Sequence, residues 1–326
     1  MNDLPDGLDV GALPGVLLEG WGVDVATIEY APLGFGSYHW IATDRDGTHR
    51  FITVDDLERK PWFGGGPDAA FDGLTRAYGT ARALRDGGLE FVLAPSAATD
   101  GRVVRRIDDR YSIAVFPFVE GESGRFGEFD TPEQRAAVIA ILGQLHERTA
   151  VVASIVPRRA LDLPGRDKLE GAVRALDRPW AGGPYSERAQ GALALRVSDV
   201  THALDRFDRL RCYVEGRSSD WVVTHGEPHA ANVIWAGGGP LLIDWDTVAL
   251  APSERDLWMV LDGSEDATVA DKKALDFYGM SWDLADVAQY VDVLRSPHRD
   301  SEDTAASYRN LLKDLAALDR WSRRLT

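Results

Sequence analysis

The sequence predicts an α+β chain in two lobes, a small antiparallel sheet followed by a larger and mainly helical part. Three observations carry that prediction. Strand-like segments and tight-turn signals fill the first 115 residues, and apolar residues at helical spacing dominate from residue 123 onward. A short group of strands then interrupts the helices near residues 221–244. The expected boundaries are 1–115 for the first lobe, 116–122 for a connecting segment and 123–326 for the second lobe. A chain of 326 residues is long enough for a substantial core in two such parts.

In the first lobe, strands are expected between residues 23 and 56, reading VATIEYAPLG, SYHWIATD and THRFITVDD. β-Branched and aromatic residues favour them, and Asp46-Gly47 between the last two is a strong hairpin signal. Gly64-Gly65-Gly66-Pro67 leads into a helix over 68–86 that Gly87-Gly88 closes. Two more strands, RVVRRID and YSIAVFPFV, complete a small sheet carrying one helix. In the second lobe Thr131-Pro132-Glu133-Gln134 joins a capping box to a proline at the first helical position. Val138, Ile141, Leu142 and Leu145 then repeat at helical spacing. Another helix is expected over 187–215, with Leu193, Val197, Val200, Leu204, Phe207 and Leu210 on one stripe. These stripes read as core, not as cofactor boxes. Strands return at 221–225, 233–236 and 240–244, and helices resume at 253–262. A sheet lobe followed by a helical lobe makes a cleft between them the expected active site.

Composition narrows the function classes. The apolar fraction of 44% and charged fraction of 27% are those of an ordinary globular protein. A formal charge of −16 opposes nucleic-acid binding. It suits a cationic small molecule, although acidity also serves solubility alone. No apolar run reaches membrane-spanning length, and MNDLPDGLDV lacks the basic and apolar regions of a secretory signal. The single cysteine, Cys212, excludes an internal disulfide framework and a Cys-rich zinc site. The expectation is a cytoplasmic protein with neither membrane nor nucleic-acid partner. Five lysines stand against thirty-one arginines, a bias that reads as genome composition.

The chemistry concentrates in THGEPHAANVIWAGGGPLLIDWD. His225, Glu227 and Asn232 fall on one loop, and a hairpin turning at Gly237-Gly238-Gly239 separates them from Asp244 and Asp246. Carboxylate, amide and carboxylate in that order suit phosphoryl transfer, which asks for one group to hold the nucleophile and two to hold Mg²⁺. Glu227 is the candidate to accept the hydroxyl proton or orient the oxygen, and Asn232 and Asp244 are candidate hard-oxygen ligands. Taken singly, Glu227 reads as a loop carboxylate paired with arginine and His225 as a core histidine holding the loop. His229 fits loop packing and a site role equally. Asp246 either caps the next segment or joins the site. His225 and His229 flank a proline-broken loop, not a helix with the H-E-x-x-H spacing, which disfavours zinc.

The stretch resembles the HGD-x-H-x-x-N and IDWD signatures of the aminoglycoside phosphotransferase family, relatives of protein kinases. LAPSERDLW after it resembles the spectinomycin phosphotransferase branch, as does AVFPFVEG as its hinge. The likeness is specific over 221–262, moderate over 110–150 and weak elsewhere. It implies a bilobal protein-kinase-like fold in which 1–115 binds the nucleotide, 116–122 is the hinge, and 123–326 carries catalysis and substrate. It implies ATP or GTP with Mg²⁺, and a hydroxyl of a small, often cationic antibiotic as acceptor. By position Glu227 matches the family's catalytic aspartate, and Asn232 and Asp244 match its metal ligands. The backbone around Phe116, Phe118 and Val119 matches the adenine-binding hinge. Gly34-Phe35-Gly36-Ser37 lies where a phosphate-covering loop would, although a plain hairpin turn also explains it.

Two positions depart from the pattern. The family's catalytic aspartate is here Glu227, whose extra methylene moves the carboxylate out by about 1.5 Å. The strand lysine that would meet the phosphates is replaced by Thr53, and the helix over 68–86 has no glutamate to pair with one. Arg59 or Lys60 at the strand's far end, or backbone N–H groups of Gly64–Gly66, are candidate substitutes.

The leading expectation is therefore an ATP- or GTP-dependent kinase of an aminoglycoside or aminocyclitol hydroxyl, with the acceptor in the helical lobe beneath Glu227. Asp246 and His229, with Asp262, Glu265, Asp266 and Asp271 beyond the ERDLW helix, are candidate substrate contacts; the last four read equally as a solvated acidic loop. Two alternatives stand. One is a metabolic kinase of an amino sugar, choline-like or ribose-type substrate. The other is a pseudokinase that binds nucleotide without turnover.

Overall fold

The computed structural model describes residues 1–127, 129–217, 220–261 and 270–323. It divides into two compact units, one of residues 3–159 with 220–263 and the other of 160–219 with 264–326.

The first unit opens with α1 (Leu13–Trp21), a helix without a sequence expectation, which Gly22 closes in a left-handed turn at φ 67°. Strands β1 (Val25–Ala31), β2 (Tyr38–Asp44) and β3 (His49–Asp56) follow as an antiparallel meander. Helix α2 (Pro67–Asp86) comes next, then β4 (Arg105–Arg106) and β5 (Tyr111–Pro117). The sheet order is β1-β2-β3-β5-β4. Alternation sorts β3 onto two faces. Ile52 and Val54 pack with Leu13, Leu17, Trp40, Ile113 and Val115 in one core cluster. Phe51 lies on the other face, in a second cluster with Leu74 and Tyr78 of α2 and Ala114 and Phe116 of β5. Thr53 and Asp55 share the face of Phe51, so an acid sits on a buried strand face against α2.

The same unit continues with β6 (Glu122–Ser123), α3 (Pro132–Glu147), α4 (Thr149–Val152), β7 (Val222–Thr224), β8 (Val233–Ala236), β9 (Gly239–Leu242), β10 (Ala249–Ala251) and α8 (Glu254–Val260). Thr131 caps α3 as expected, accepting from Gln134 N, and Val138, Ile141, Leu142 and Leu145 are buried. Two small sheets form here, β6-β8-β9 and β10-β7. The short strand β10 lacks any sequence signal of its own; its register places Ala249 opposite Thr224.

The second unit is helical: α5 (Arg166–Arg174), α6 (Ser186–Leu195), α7 (Val197–Glu215), α9 (Lys272–Arg295), α10 (Glu302–Ala317) and α11 (Asp319–Arg323). The single helix expected over 187–215 is two. Arg196 leaves the helical region (φ −120°, ψ 12°), and its amide turns back to Leu193 O. The break lets α6 bury Ala189 and Leu193 while α7 independently buries Val200, Ala203, Leu204 and Phe207. No helix among the described residues is long and apolar enough to cross a membrane.

Candidate active site

The site is assembled within the first unit by a strand, a loop and a hairpin. β7 delivers the chain to His225, a 3-10 turn over Ala230–Asn232 follows, and β8 and β9 return it to Asp244. His225 joins the two ends. Its Nε2 donates to Ile243 O at 2.8 Å and its Nδ1 accepts from Glu227 N at 3.2 Å. The ring stands edge-on to Trp245 with centroids 4.7 Å apart. Burial pushes the imidazole down to about 4, so it remains neutral with the proton on Nε2. The expectation of a core histidine holding the loop agrees with this placement.

The backbone on either side is pinned from below. Asp256, fully buried on α8, accepts from Gly226 N at 2.6 Å and His225 N at 3.1 Å, with His146 Nε2 2.9 Å away. Arg255 donates to Thr224 Oγ1 and to Thr247 O, both at 2.8 Å, beneath Gly226. Gly226 has φ 104°, and a Cβ added there would fall on the Arg255 guanidinium. A glycine is therefore required at this position.

Asn232 donates its Nδ2 hydrogens to Glu227 O at 3.0 Å and toward His229 Nε2 at 3.3 Å, which leaves Oδ1 as the available acceptor. His229 packs edge-on to Phe126, and burial pushes its imidazole down to about 4. Asp244 is the one non-glycine residue of positive φ (66°) among the described residues, and it is solvent-exposed. Desolvation by the surrounding protein first, and then the Asp246 and Glu227 carboxylates, push its proton affinity up. Glu227 keeps partial solvent contact; burial and then the Asp246 charge push its carboxyl up to about 7. These are hard oxygen donors whose carboxylates raise one another's proton affinity. Among the described residues no three His, Cys, Asp or Glu side chains converge as an all-protein metal cage. One carboxylate and one amide completed by phosphate and water is how Mg²⁺ is usually bound, so the donors fit that ion.

The glycine loop reaches the same place. Gly34 and Gly36 have φ of 64° and 95°, and Ser37, buried behind them, donates to Asp55 Oδ1 at 2.7 Å. Thr53 is buried too, its Oγ1 3.3 Å from His39 Nδ1, and it carries no charge to the site. A buried lysine, Lys60, stands beside it. Its Nζ lies 2.7 Å from Asp55 Oδ1, 2.7 Å from Asp246 Oδ2 and 3.0 Å from Ser37 Oγ. Arg59 turns away to Asp56, and its side chain is 52% exposed. From α2 the Tyr78 hydroxyl also reaches Asp55, 3.3 Å from its Oδ2. Phe116 packs against Tyr78 (centroids 5.6 Å), and Phe118 lies beside His49 (5.5 Å). Phe118 and Val119 follow β5 and are half-buried. Asp262, Glu265 and Asp266 lie outside the described residues, and Asp271 caps α9 instead.

Sequence reasoning missed Asp55, Tyr78, Arg255 and Asp256. A signal existed for Asp55: an aspartate on the buried face of a strand requires a cation or strong donors.

A small antiparallel sheet with one helix, a helical C-terminal part, and this strand–loop–hairpin define a phosphotransferase of the kinase-like class. The chain belongs to the phosphotransferase enzyme family, whose model matches residues 67–290. It is 33% identical over 251 residues to protein StrN of Streptomyces griseus, covering 73% of this chain and 76% of that protein. It is 29% identical over 160 residues to stress response kinase A of Salmonella paratyphi A, covering 48% of this chain and 42% of that kinase. The chain thus spans less than half of that second relative. Among solved structures, spectinomycin phosphotransferase APH(9)-Ia in complex with ADP and spectinomycin aligns at a TM-score of 0.70. Its identity is 16%, with 97% of this chain and all of that one covered. Amicoumacin kinase hAmiN with AMP-PNP, Ca²⁺ and Ami aligns at 0.56 and 15% identity, covering 96% and 94%. At these identities the likeness is one of fold.

Proposed function

We propose that the chain transfers the γ-phosphate of ATP or GTP to a hydroxyl of an aminoglycoside or aminocyclitol. The observation that carries this is the convergence of Glu227, Asn232 and Asp244 on one His225-braced loop pair. Asn232 Oδ1 and the Asp244 carboxylate would hold Mg²⁺, which when bound neutralises phosphate oxygens. Glu227, poised near neutrality, takes the acceptor hydroxyl's proton as that oxygen bonds to phosphorus and the nucleoside diphosphate leaves. Gly34, Gly36 and Ser37 cover the phosphates, and the Phe116–Val119 backbone meets the base. The antibiotic and nucleotide complexes of spectinomycin phosphotransferase and amicoumacin kinase support an antibiotic-like acceptor. The charge of −16 favours a cationic one.

The test is Mg²⁺-dependent nucleotide consumption over a panel of aminocyclitols, aminoglycosides, amino sugars and choline, with each product's phosphate located. Acceptor-stimulated turnover that Asp244→Ala abolishes and Glu227→Gln lowers by about 10²–10⁴-fold is expected. Turnover on choline or simple sugars alone would move the assignment to a metabolic kinase. Nucleotide binding without turnover on any acceptor would refute transfer altogether.

A further inference from the structure

Residues 3–159 and 220–263 contain a single lysine, Lys60; the other four, Lys168, Lys272, Lys273 and Lys313, all belong to the second unit. That one ammonium is among the least exposed charges in the chain, its side chain 1% exposed. Its three N–H groups meet three acceptors on three separate segments: Ser37 after the glycine loop, Asp55 on β3, and Asp246 two residues beyond Asp244. We propose that Lys60 is the phosphate-facing cation of this site, delivered from the connector behind β3 instead of from the middle of the strand. The inference rests on the phosphotransfer reading above.

A purely structural role accounts poorly for this residue. The chain makes its neighbouring structural ion pair differently. Asp56, the adjacent and equally buried acid, is held by Arg110 through Nε at 3.1 Å and Nη2 at 2.6 Å, with Arg110 at the protein surface. Arginine's fork suits such a fixed bidentate contact, whereas an ammonium is a compact charge free to exchange acceptors. Burying an ion pair seldom stabilises a fold more than apolar packing of the same volume. Charge balance points the same way. Asp55, Asp244, Asp246 and Glu227 bring four carboxylates together; Arg255, Arg159 and then Lys60 oppose the charge at Glu227, and Lys60 opposes it at Asp244. Adding a polyphosphate there requires a cation besides the metal, and Lys60 already lies at the seam of glycine loop and Asp244–Asp246 turn. Burial opposes its charge, but the Asp246 and Asp55 carboxylates outweigh it and hold the ammonium protonated. Asp55 and Tyr78 then anchor the lysine as a strand acid and a helix hydroxyl.

The full-length protein, labelled with ¹⁵N-lysine, gives at most five ammonium signals, of which the solvent-protected one is Lys60. Titration with Mg²⁺ and AMP-PNP is expected to shift that signal, and adenosine alone to leave it in place. In parallel, Asp55→Asn/Lys60→Met removes a buried carboxylate together with its cation and so keeps the fold in reach. Its melting temperature is checked first. The variant should bind Mg²⁺–AMP-PNP about 10- to 100-fold more weakly while adenosine affinity is unchanged, since a charge-assisted phosphate contact is lost. A Lys60 signal unmoved by bound nucleotide, or moved equally by adenosine, overturns the proposal. So does a folded double variant that binds nucleotide within about twofold of wild type, less than one such contact contributes. A wild-type chain that binds no nucleotide overturns the phosphotransfer reading itself, a different failure.

Discussion

Asp256→Asn isolates how much of the site depends on a residue that touches no reactant. The Asp256 carboxylate accepts from two consecutive backbone N–H groups, those of His225 and Gly226, and lies 2.9 Å from His146 Nε2. An asparagine has one acceptor oxygen, so its NH₂ must face one of these three donors. One buried donor is left unsatisfied, at about 1–3 kcal/mol, and the surviving contacts lose their charge assistance. A total of about 2–4 kcal/mol follows, or a melting shift of roughly 5–15 °C for a domain of this size. Activity should fall further than stability at assay temperature would explain. Gly226 is covalently joined to Glu227, and a displacement near 1 Å costs about a hundredfold in rate. The assays are a thermal melt followed by circular dichroism and steady-state kinetics on the folded variant. A melt within about 1 °C of wild type with unchanged kcat would refute the pinning argument, since even one lost contact should be visible.

Two further perturbations test neighbouring claims. Gly226→Ala puts a Cβ at φ 104° onto the Arg255 guanidinium, straining the backbone by about 1–3 kcal/mol and dislodging its bonds to Thr224 and Thr247. It should depress both the melting temperature and kcat; a wild-type melt would show that Arg255 is free to move. Asp314 in α10 is buried, and burial pushes its carboxyl up to about 6, with Lys313 opposing and Asp283 adding. Its folded value exceeds its unfolded one near 3.9, so the native state holds the proton longer and stability falls as pH rises from about 4 to 6. Asp314→Asn should therefore gain up to about 2–3 kcal/mol over wild type at pH 7 relative to pH 4, read from melts at both; a pH-independent difference would refute it.

What was legible in the sequence was what is local. The strands of the first sheet, the capped helix α3 and the ordered run Glu227, Asn232, Asp244 all lie within short windows whose spacing is the signal. What was illegible depends on contacts between distant segments. Lys60 was visible only as a candidate near a strand end; that it meets Asp246, 186 residues away, is a tertiary fact. Asp256 reads as one acid in ERDLW until the fold sets it beneath Gly226, thirty positions earlier. β10 owes its existence to pairing with β7, not to its own Ala-Leu-Ala. The break at Arg196 lay hidden because the apolar stripe runs through it without interruption.

Asp244 adopts a left-handed conformation that most side chains avoid, and it faces two like charges. Each condition makes the native state less comfortable than asparagine or glycine would at the same point. Anyone optimising this protein by heat tolerance alone would be led toward this position early, and the variants that survived best would be the ones with nothing left to do.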